Sequence, residues 1–214
     1  MTHIRGHIAV AVLFAGIAVT AFAPAISKGP RFAPLTMEQL NDQQRPLGEQ
    51  IMKVSSVGLG GPYNAMLRSP VLGQRMFDLL YYLRWNTSVP LRLNEFAILI
   101  TGRLWRSQVE WFAHAPLAIK AGLSPQIIAD LKANKRPADM QADEAAVYDF
   151  MGELRRTRRV SNPTYAAAHK ILGDQGVIDL VALSGYYDMV SMTLNTAQVR
   201  PPEPGPLPLP PRTR

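Results

Sequence analysis

The sequence predicts an all-α protein, a bundle of about seven or eight helices with short connections. Apolar residues recur at helical spacing along much of the chain, whereas the alternating pattern of strands is scarce. Several helical stretches begin with proline, which is common in the first turn of a helix. No period of roughly 20–50 residues repeats, which argues against a solenoid.

Residues 1–25 are predicted to be a signal peptide. Arg5 gives a positive start, Ile8–Ala23 is uncharged and mostly apolar, and Ala23-Pro24-Ala25 fits a cleavage site before Ile26. Cleavage predicts a periplasmic or secreted protein. The alternative is an uncleaved helix that anchors the protein, although an apolar run of this length is shorter than the ~20 residues that span a bilayer. Contact with a membrane is expected only in that second case.

Residues 26–59 are predicted to be an N-terminal helical extension. Thr36 with Glu38 and Gln39 marks a helix start, and Pro46 is expected to interrupt the helix before Val54. The glycine-rich segment 55–63 is predicted to be a loop.

The main domain is predicted to span residues 60–199. Pro70 and Pro90 open two helices, the second over Leu91–Thr101, and Gly102 is expected to bend or break the path before a helix at Ser107–Ala121. Four more helix positions are expected: Ser124–Leu131, a start near Asp143, a start at Ser161-Asn162-Pro163, and a final helix at about Val177–Leu194 after the glycines at 173 and 176.

Residues 200–214 are predicted to be a proline-rich disordered tail. Pro201–Arg214 contains seven prolines, so it cannot continue a helix. Docking of this extended segment into an aromatic groove is the alternative, and we favour the disordered tail.

The net charge of +7 is concentrated in four arginines that follow a predicted helix: Arg155, Arg156, Arg158 and Arg159. They form either a patch that attracts anions or a solvated helix end that complements the helix dipole. We favour the helix end, and because export is predicted we expect no nucleic-acid partner.

The chain contains no cysteine, which excludes disulfides, thiol nucleophiles and cysteine metal ligands. After signal cleavage only His114 and His169 remain as histidines, and a single Glu/His pair does not define a metal site. No phosphate-binding glycine loop follows a strand, and no G-x-S-x-G motif occurs. We therefore expect neither a metal nor another cofactor.

The strongest candidate site lies on one predicted helix. Glu110 and His114 stand four residues apart and project from one face, with the Ser107 hydroxyl one turn before them. Trp105 and Trp111 surround them with apolar surface, which shifts proton affinities. The pattern favours an acid–base site.

Each member of this trio also has an ordinary explanation. Arg106 lies four residues before Glu110, the spacing of an intrahelical ion pair worth ~0.3–0.5 kcal/mol. Ser107 as N-cap and Glu110 at the third helical position fit a capping box. His114 would then bond a carbonyl oxygen or cap a neighbouring element.

Several motifs occur in a fixed order over about Gly60–Asn195. The central ones are Arg84, Asn94-Glu95, and W-x-S-x-x-E-W-x-x-H over Trp105–His114. The flanking ones are G-G-P-Y-N-A-M-L from Gly60, G-L-S from Gly122, A-x-x-Y-D-F from Ala145, G-x-x-G-V from Gly173 and G-Y-Y from Gly185. This order resembles the carboxymuconolactone decarboxylase family, within the wider alkylhydroperoxidase-like group.

One departure from that group excludes a class of reaction. The peroxidase branch has C-x-x-C, three further residues and His, where this chain has Ser107, Glu110 and His114. Serine cannot cycle through sulfenic acid and disulfide. Peroxide reduction by cysteine is therefore excluded for this chain.

The resemblance implies an enzyme, a decarboxylase-like lyase that performs acid–base chemistry (decarboxylation or isomerisation) on a small carboxylated or lactone-like molecule. It implies His114 as proton donor, Glu110 as its partner and Arg84 as anion anchor. It further implies a substrate-binding set of Ser107, Glu95, Trp105, Trp111 and Tyr63. A homo-oligomer, trimer or hexamer, is also implied. The alternative is a non-catalytic oligomeric protein of the same fold that binds a small molecule.

Overall fold

The described residues form a bundle of α-helices. The computed structural model describes residues 29–202 and 208–210, so the predicted signal peptide lies outside it. Within these two ranges there are eight α-helices and no strand, which confirms the predicted class. After a short 3-10 helix at Met37–Gln39, they are α1 (Arg45–Val54), α2 (Pro62–Met66), α3 (Pro70–Trp85), α4 (Leu91–Trp105), α5 (Gln108–Lys120), α6 (Pro125–Lys132), α7 (Ala142–Thr157) and α8 (Asn162–Ala197).

Helices α4 and α8 form the centre of the bundle. Helix α4 packs against α5, α7 and α8, and its Phe96 and Leu99 are completely buried, as is Leu180 of α8. Full burial of such a side chain contributes about 1.5–3 kcal/mol. Leu47 and Ile51 of α1 belong to the same core cluster, so the N-terminal extension packs onto the bundle.

The chain is interrupted just before Pro46: the 3-10 helix ends at Gln39 and α1 begins at Arg45. Pro46 stands in the first turn of α1, where its missing N–H has no hydrogen bond to lose. The break expected at Gly102 occurs later in the chain. Gly102 lies within α4, which continues to Trp105; the chain turns at Arg106, whose φ of 52° and ψ of 36° are left-handed. A Cβ on Gly102 would lie 3.3 Å from the Glu110 Cβ, so this glycine allows α5 to approach α4.

Helix α8 is broken at Gly173, whose φ of 65° and ψ of −176° are not helical, close to the predicted break. Among the described helices, α8 alone is long and apolar enough to span a membrane. In its most apolar stretch 56% is buried inside the structure, as expected for a core helix.

A single carboxylate holds the connection between α3 and α4. Asp179 of α8 accepts hydrogen bonds from the Tyr82 hydroxyl at 3.0 Å, the Thr87 hydroxyl at 3.0 Å and the Ser88 N–H at 2.8 Å. This cluster fixes the end of α3, which carries Arg84, next to the start of α4.

Candidate active site

The turn between α4 and α5 creates the candidate site. The Ser107 N–H donates to the Gly102 carbonyl oxygen at 2.9 Å, and Ser107 then begins α5. The two helices fold back on each other, so that Glu95 on α4 faces His114 on α5. Both side chains are buried, with exposed fractions of 1% and 8%.

Glu95 is the closest carboxylate to the imidazole. Its Oε2 lies 2.7 Å from His114 Nδ1, and its Oε1 accepts a hydrogen bond from an Arg84 NH2 group at 2.6 Å. The other terminal nitrogen of Arg84 donates to Asn94 Oδ1 at 3.1 Å, and Asn94 itself donates to the Leu83 carbonyl oxygen at 2.9 Å. Glu95 therefore orients both the guanidinium and the imidazole.

Glu110 faces the opposite nitrogen of the imidazole. Its Oε2 lies 3.4 Å from His114 Nε2, and this buried oxygen accepts no hydrogen bond from the described residues. His114 thus stands between two carboxyl groups, one tightly bound and one loosely placed. Buried polar atoms are nearly always hydrogen-bonded in proteins, so this oxygen requires an explanation, and a catalytic role is one.

The two carboxyl groups control the protonation of His114. Burial disfavours the imidazolium, but the close carboxyl groups of Glu110 and Glu95 outweigh burial and raise the pKa of His114 above its ordinary 6.5. Burial would also raise the pKa of Glu95, yet His114 and Arg84 lower it below 4.5. The two carboxyl groups therefore favour the imidazolium, and the imidazole and guanidinium favour the Glu95 carboxylate.

This group lies at the wall of a cavity of about 1080 Å³, large enough for a drug-sized molecule. Of the predicted site residues, five line the cavity: Tyr63, Arg84, Glu110, Trp111 and His114. Most other lining residues are apolar or aromatic, including Met66, Leu80, Trp85, Val109, Phe112, Leu117 and Val190. The cavity therefore presents a few polar groups within an apolar surface.

Three predicted site residues do not line the cavity. Glu95 lies behind His114 and acts through it. Trp105, at the end of α4 and 36% exposed, turns toward α8 and donates from Nε1 to Asp188 Oδ1 at 2.6 Å. Ser107 is buried, and its hydroxyl finds no hydrogen-bond partner among the described residues.

The ordinary explanations for Ser107 and Glu110 are not realised. Ser107 is the N-cap residue of α5, yet its side chain makes no capping hydrogen bond. In the described part of the chain Arg106 forms no ion pair with Glu110; its guanidinium donates to the Pro210 carbonyl oxygen. Neither helix capping nor a surface ion pair therefore explains why Glu110 is buried beside His114.

Two tyrosines complete the site. The Tyr187 ring meets the His114 ring edge-on, with centroids 5.3 Å apart, and Tyr186 packs against Tyr187. Burial raises the pKa of both phenols, so they remain protonated hydrogen-bond donors. The Tyr186 hydroxyl is buried and makes no hydrogen bond to the described residues. The G-Y-Y motif is the sequence signal that marked this pair, although sequence reasoning assigned it no role.

The C-terminal segment also reaches the cavity, and sequence analysis gave it no site residue. Leu209 is 1% exposed, and its N–H donates to Gln108 Oε1 at 2.8 Å. Arg200, Pro202 and Pro208 line the cavity. For residues 208–210 the structure therefore shows a docked segment rather than the disordered tail we favoured from the sequence.

The described residues offer no preformed metal centre. No group of three His, Asp or Glu side chains in residues 29–202 and 208–210 is placed to hold an ion. Glu95 and Glu110 contact opposite nitrogens of His114, so the three side chains do not converge on one point. The arrangement is suited to moving a proton along a line from one carboxyl to the other.

Two solved structures have the same architecture. A peroxidase-related protein with an alkylhydroperoxidase AhpD core from Ralstonia eutropha JMP134 superposes with a TM-score of 0.69 at 15% identity, over 81% of this chain and 93% of that one. A peroxidase-related protein from Silicibacter sp. TM1040 gives 0.66 at 16% identity, over 82% and 93%. No protein-family model and no curated protein matches the chain.

These similarities show the fold. The chain has the alkylhydroperoxidase-like helical fold. At such identities the reaction does not follow from the fold, because one fold supports many chemistries. The absence of cysteine from all 214 residues separates the chemistry of this chain from thiol peroxidases.

Proposed function

We propose that this protein is an enzyme that performs acid–base chemistry on a small carboxylated or lactone-like molecule. The reaction is a decarboxylation or an isomerisation, as in the carboxymuconolactone decarboxylase branch that the motifs resemble. The observation that supports it is the line Glu95–His114–Glu110 at the wall of an apolar, ligand-sized cavity.

His114 is the proton donor in this proposal. Its Nδ1–H is held by Glu95, which leaves the Nε2 proton free to move toward the cavity or toward Glu110. In a decarboxylation the bond between carbon and the carboxylate breaks, its electron pair remains on the substrate, and the shifted double bond accepts the proton of His114. Carbon dioxide leaves, and solvent or Glu110 returns a proton to the imidazole.

The remaining side chains bind and shape the substrate. Arg84, already fixed by Glu95, stabilises negative charge that develops on the enolate-like intermediate. Tyr63, Trp111 and Tyr187 form walls that exclude water and strengthen these interactions.

Turnover of lactone acids and unsaturated acids by the purified protein, followed by carbon dioxide release and by NMR of the product, tests the proposal. We expect His114→Gln to reduce kcat by roughly 100- to 10,000-fold, the usual contribution of a general acid. His169→Gln is the matched control, because His169 is exposed, bonded to Asp174 and outside the cavity lining. Binding of these acids without turnover would refute the enzyme and favour the non-catalytic binding protein.

We also propose that the protein is a homo-oligomer. The resemblance of the motifs implies an oligomer, and contact between copies of the chain would cover exposed apolar side chains such as Val71 (76% exposed) and Ile178 (67% exposed). Sedimentation velocity tests this proposal, and a monomer at micromolar concentration would contradict it.

A further inference from the structure

Arg200 is a cation at the cavity without an ion-pair partner among the described residues. At the end of α8, Gln198 adopts a left-handed conformation with φ 56°, and the Val199 N–H donates to the Leu194 carbonyl oxygen at 3.1 Å. This turn leads the chain across the cavity, so that Arg200 and Pro202 line it. Arg200 is exposed, and it forms no hydrogen bond or ion pair with any residue in the described ranges.

The other arginine of the cavity is already neutralised. Arg84 donates one terminal nitrogen to Glu95 at 2.6 Å and the other to Asn94 at 3.1 Å. Its side chain is only 14% exposed. A substrate carboxylate that paired with Arg84 would have to compete with a buried carboxylate that cannot leave.

The inner wall of the cavity is unfavourable for a second anion. Glu110 lines this wall and Glu95 lies directly behind it, so two carboxyl groups stand against one guanidinium and one imidazole. With both carboxyl groups ionised, the formal charge of these four side chains does not exceed zero even when His114 is protonated. Unpaired positive charge is therefore found at the exposed edge of the cavity, on Arg200.

We infer that Arg200, rather than Arg84, is the residue that binds the carboxylate of the substrate. The inference rests on the proposed function, since it takes the cavity as the substrate site. The carboxylate binds Arg200 at the exposed edge, and the rest of the molecule extends along the apolar walls toward buried His114. Arginine suits this role because its planar donors match the two oxygens of a carboxylate.

This placement narrows the substrate class. The carboxylate at Arg200 is the one directed away from His114, whereas a carboxylate that leaves as carbon dioxide is attached to the reacting carbon. A decarboxylation at this site therefore requires a dicarboxylic acid, one carboxylate being retained. An isomerisation requires only one carboxylate, at the end of the molecule remote from the migrating double bond.

Ligand affinity tests this inference without turnover. Isothermal titration calorimetry compares phenylacetate, cinnamate and paraconate, a lactone acid, each with its uncharged amide. The proteins are the wild type, Arg200→Gln and Arg159→Gln. Arg159 is the matched control because it is also an exposed arginine, and it lies outside the cavity lining.

We expect the wild type to prefer at least one acid over its amide. In Arg200→Gln the Kd for that acid rises roughly fivefold, the upper value for an exposed ion pair, while the Kd for the amide is unchanged. Added salt weakens the acid preference of the wild type. Arg159→Gln behaves as the wild type does.

Two results overturn the inference: no wild-type preference for any acid over its amide, or a preference that Arg200→Gln retains. A preference that depends on Arg200, together with no turnover of dicarboxylic lactone acids or of unsaturated acids, leaves this inference in place and removes the proposed enzyme. The carboxylate-binding role of Arg200 and the proposed enzyme activity can therefore be refuted independently.

Discussion

Replacing Glu95 with Gln tests the centre of the site. The carboxylate contacts Arg84 at 2.6 Å and His114 at 2.7 Å and is almost completely buried. The amide of Gln has the same shape, so packing is retained while the charge is lost. Its oxygen can accept from Arg84, but its NH2 group then faces His114 Nδ1 and requires that nitrogen to be unprotonated. The variant therefore favours the neutral imidazole, and the pKa of His114 falls relative to the wild type.

The expected loss of stability follows from the burial of the group. Removing one partner of a buried ion pair costs about 3–5 kcal/mol, and we expect about 3 kcal/mol because Arg84 is partly exposed. The raised pKa of His114 stabilises the fold fully below 6.5, and that stabilisation is lost as pH rises through the folded-state value. The lowered pKa of Glu95 stabilises the fold above 4.5, and this is lost as pH falls through its folded value. The difference in the free energy of unfolding between wild type and variant is therefore largest between pH 4.5 and pH 6.5.

Urea denaturation across this pH range measures the difference, and NMR titration of the imidazole in a His169→Gln background measures the pKa. The difference should shrink as pH rises through the folded-state pKa of His114, without vanishing, because Arg84 still lacks its carboxylate. An equal free energy of unfolding in the two proteins, or an unchanged pKa of His114, would refute the assigned ion pairing.

Three further predictions concern stability, measured by urea denaturation. Ser107→Ala should change the free energy of unfolding by less than about 1 kcal/mol, because the buried hydroxyl has no partner to lose; a loss above about 2 kcal/mol would reveal one. Gly73→Ala should lower the free energy of unfolding by about 1–2 kcal/mol, because the new Cβ would lie 2.4 Å from the Met66 carbonyl oxygen. In the control Gly152→Ala the new Cβ meets no atom within 4 Å, so this variant should stabilise α7 by about 0.5–1 kcal/mol. Leu209→Glu should release the C-terminal segment and cost about 1.5–3 kcal/mol, the value of burying that side chain; unchanged protease sensitivity near it would contradict this.

Much of the fold follows from local signals. Pro70, Pro125 and Pro163 each stand in the first turn of a helix, and the break at Gly173 lies where glycines were expected to end one. The break expected at Gly102 was wrong, because a glycine can either end a helix or allow another element to pack closely. Local propensity predicts a break, but in the fold the missing Cβ makes room for Glu110 of the next helix.

Only part of the site could be predicted from the sequence. Spacing places Glu110 and His114 on one helix face, and both reach the cavity. Spacing cannot pair residues on different helices. The resemblance implied a substrate-binding role for Glu95, but not its bond to His114, nineteen positions later. Trp105 shares its motif with Trp111, yet the turn at Arg106 directs it toward α8.

By itself the sequence determined the helical class, the absence of thiol chemistry and the residue types available for proton transfer. These follow from periodicity and composition, which need no knowledge of long-range contacts. Only the tertiary structure decided which charges neutralise each other. Glu95 binds Arg84, while Arg200 at the cavity has no ion-pair partner in residues 29–202 and 208–210. Charge pairing depends on distances of a few ångströms between segments that are far apart in the chain.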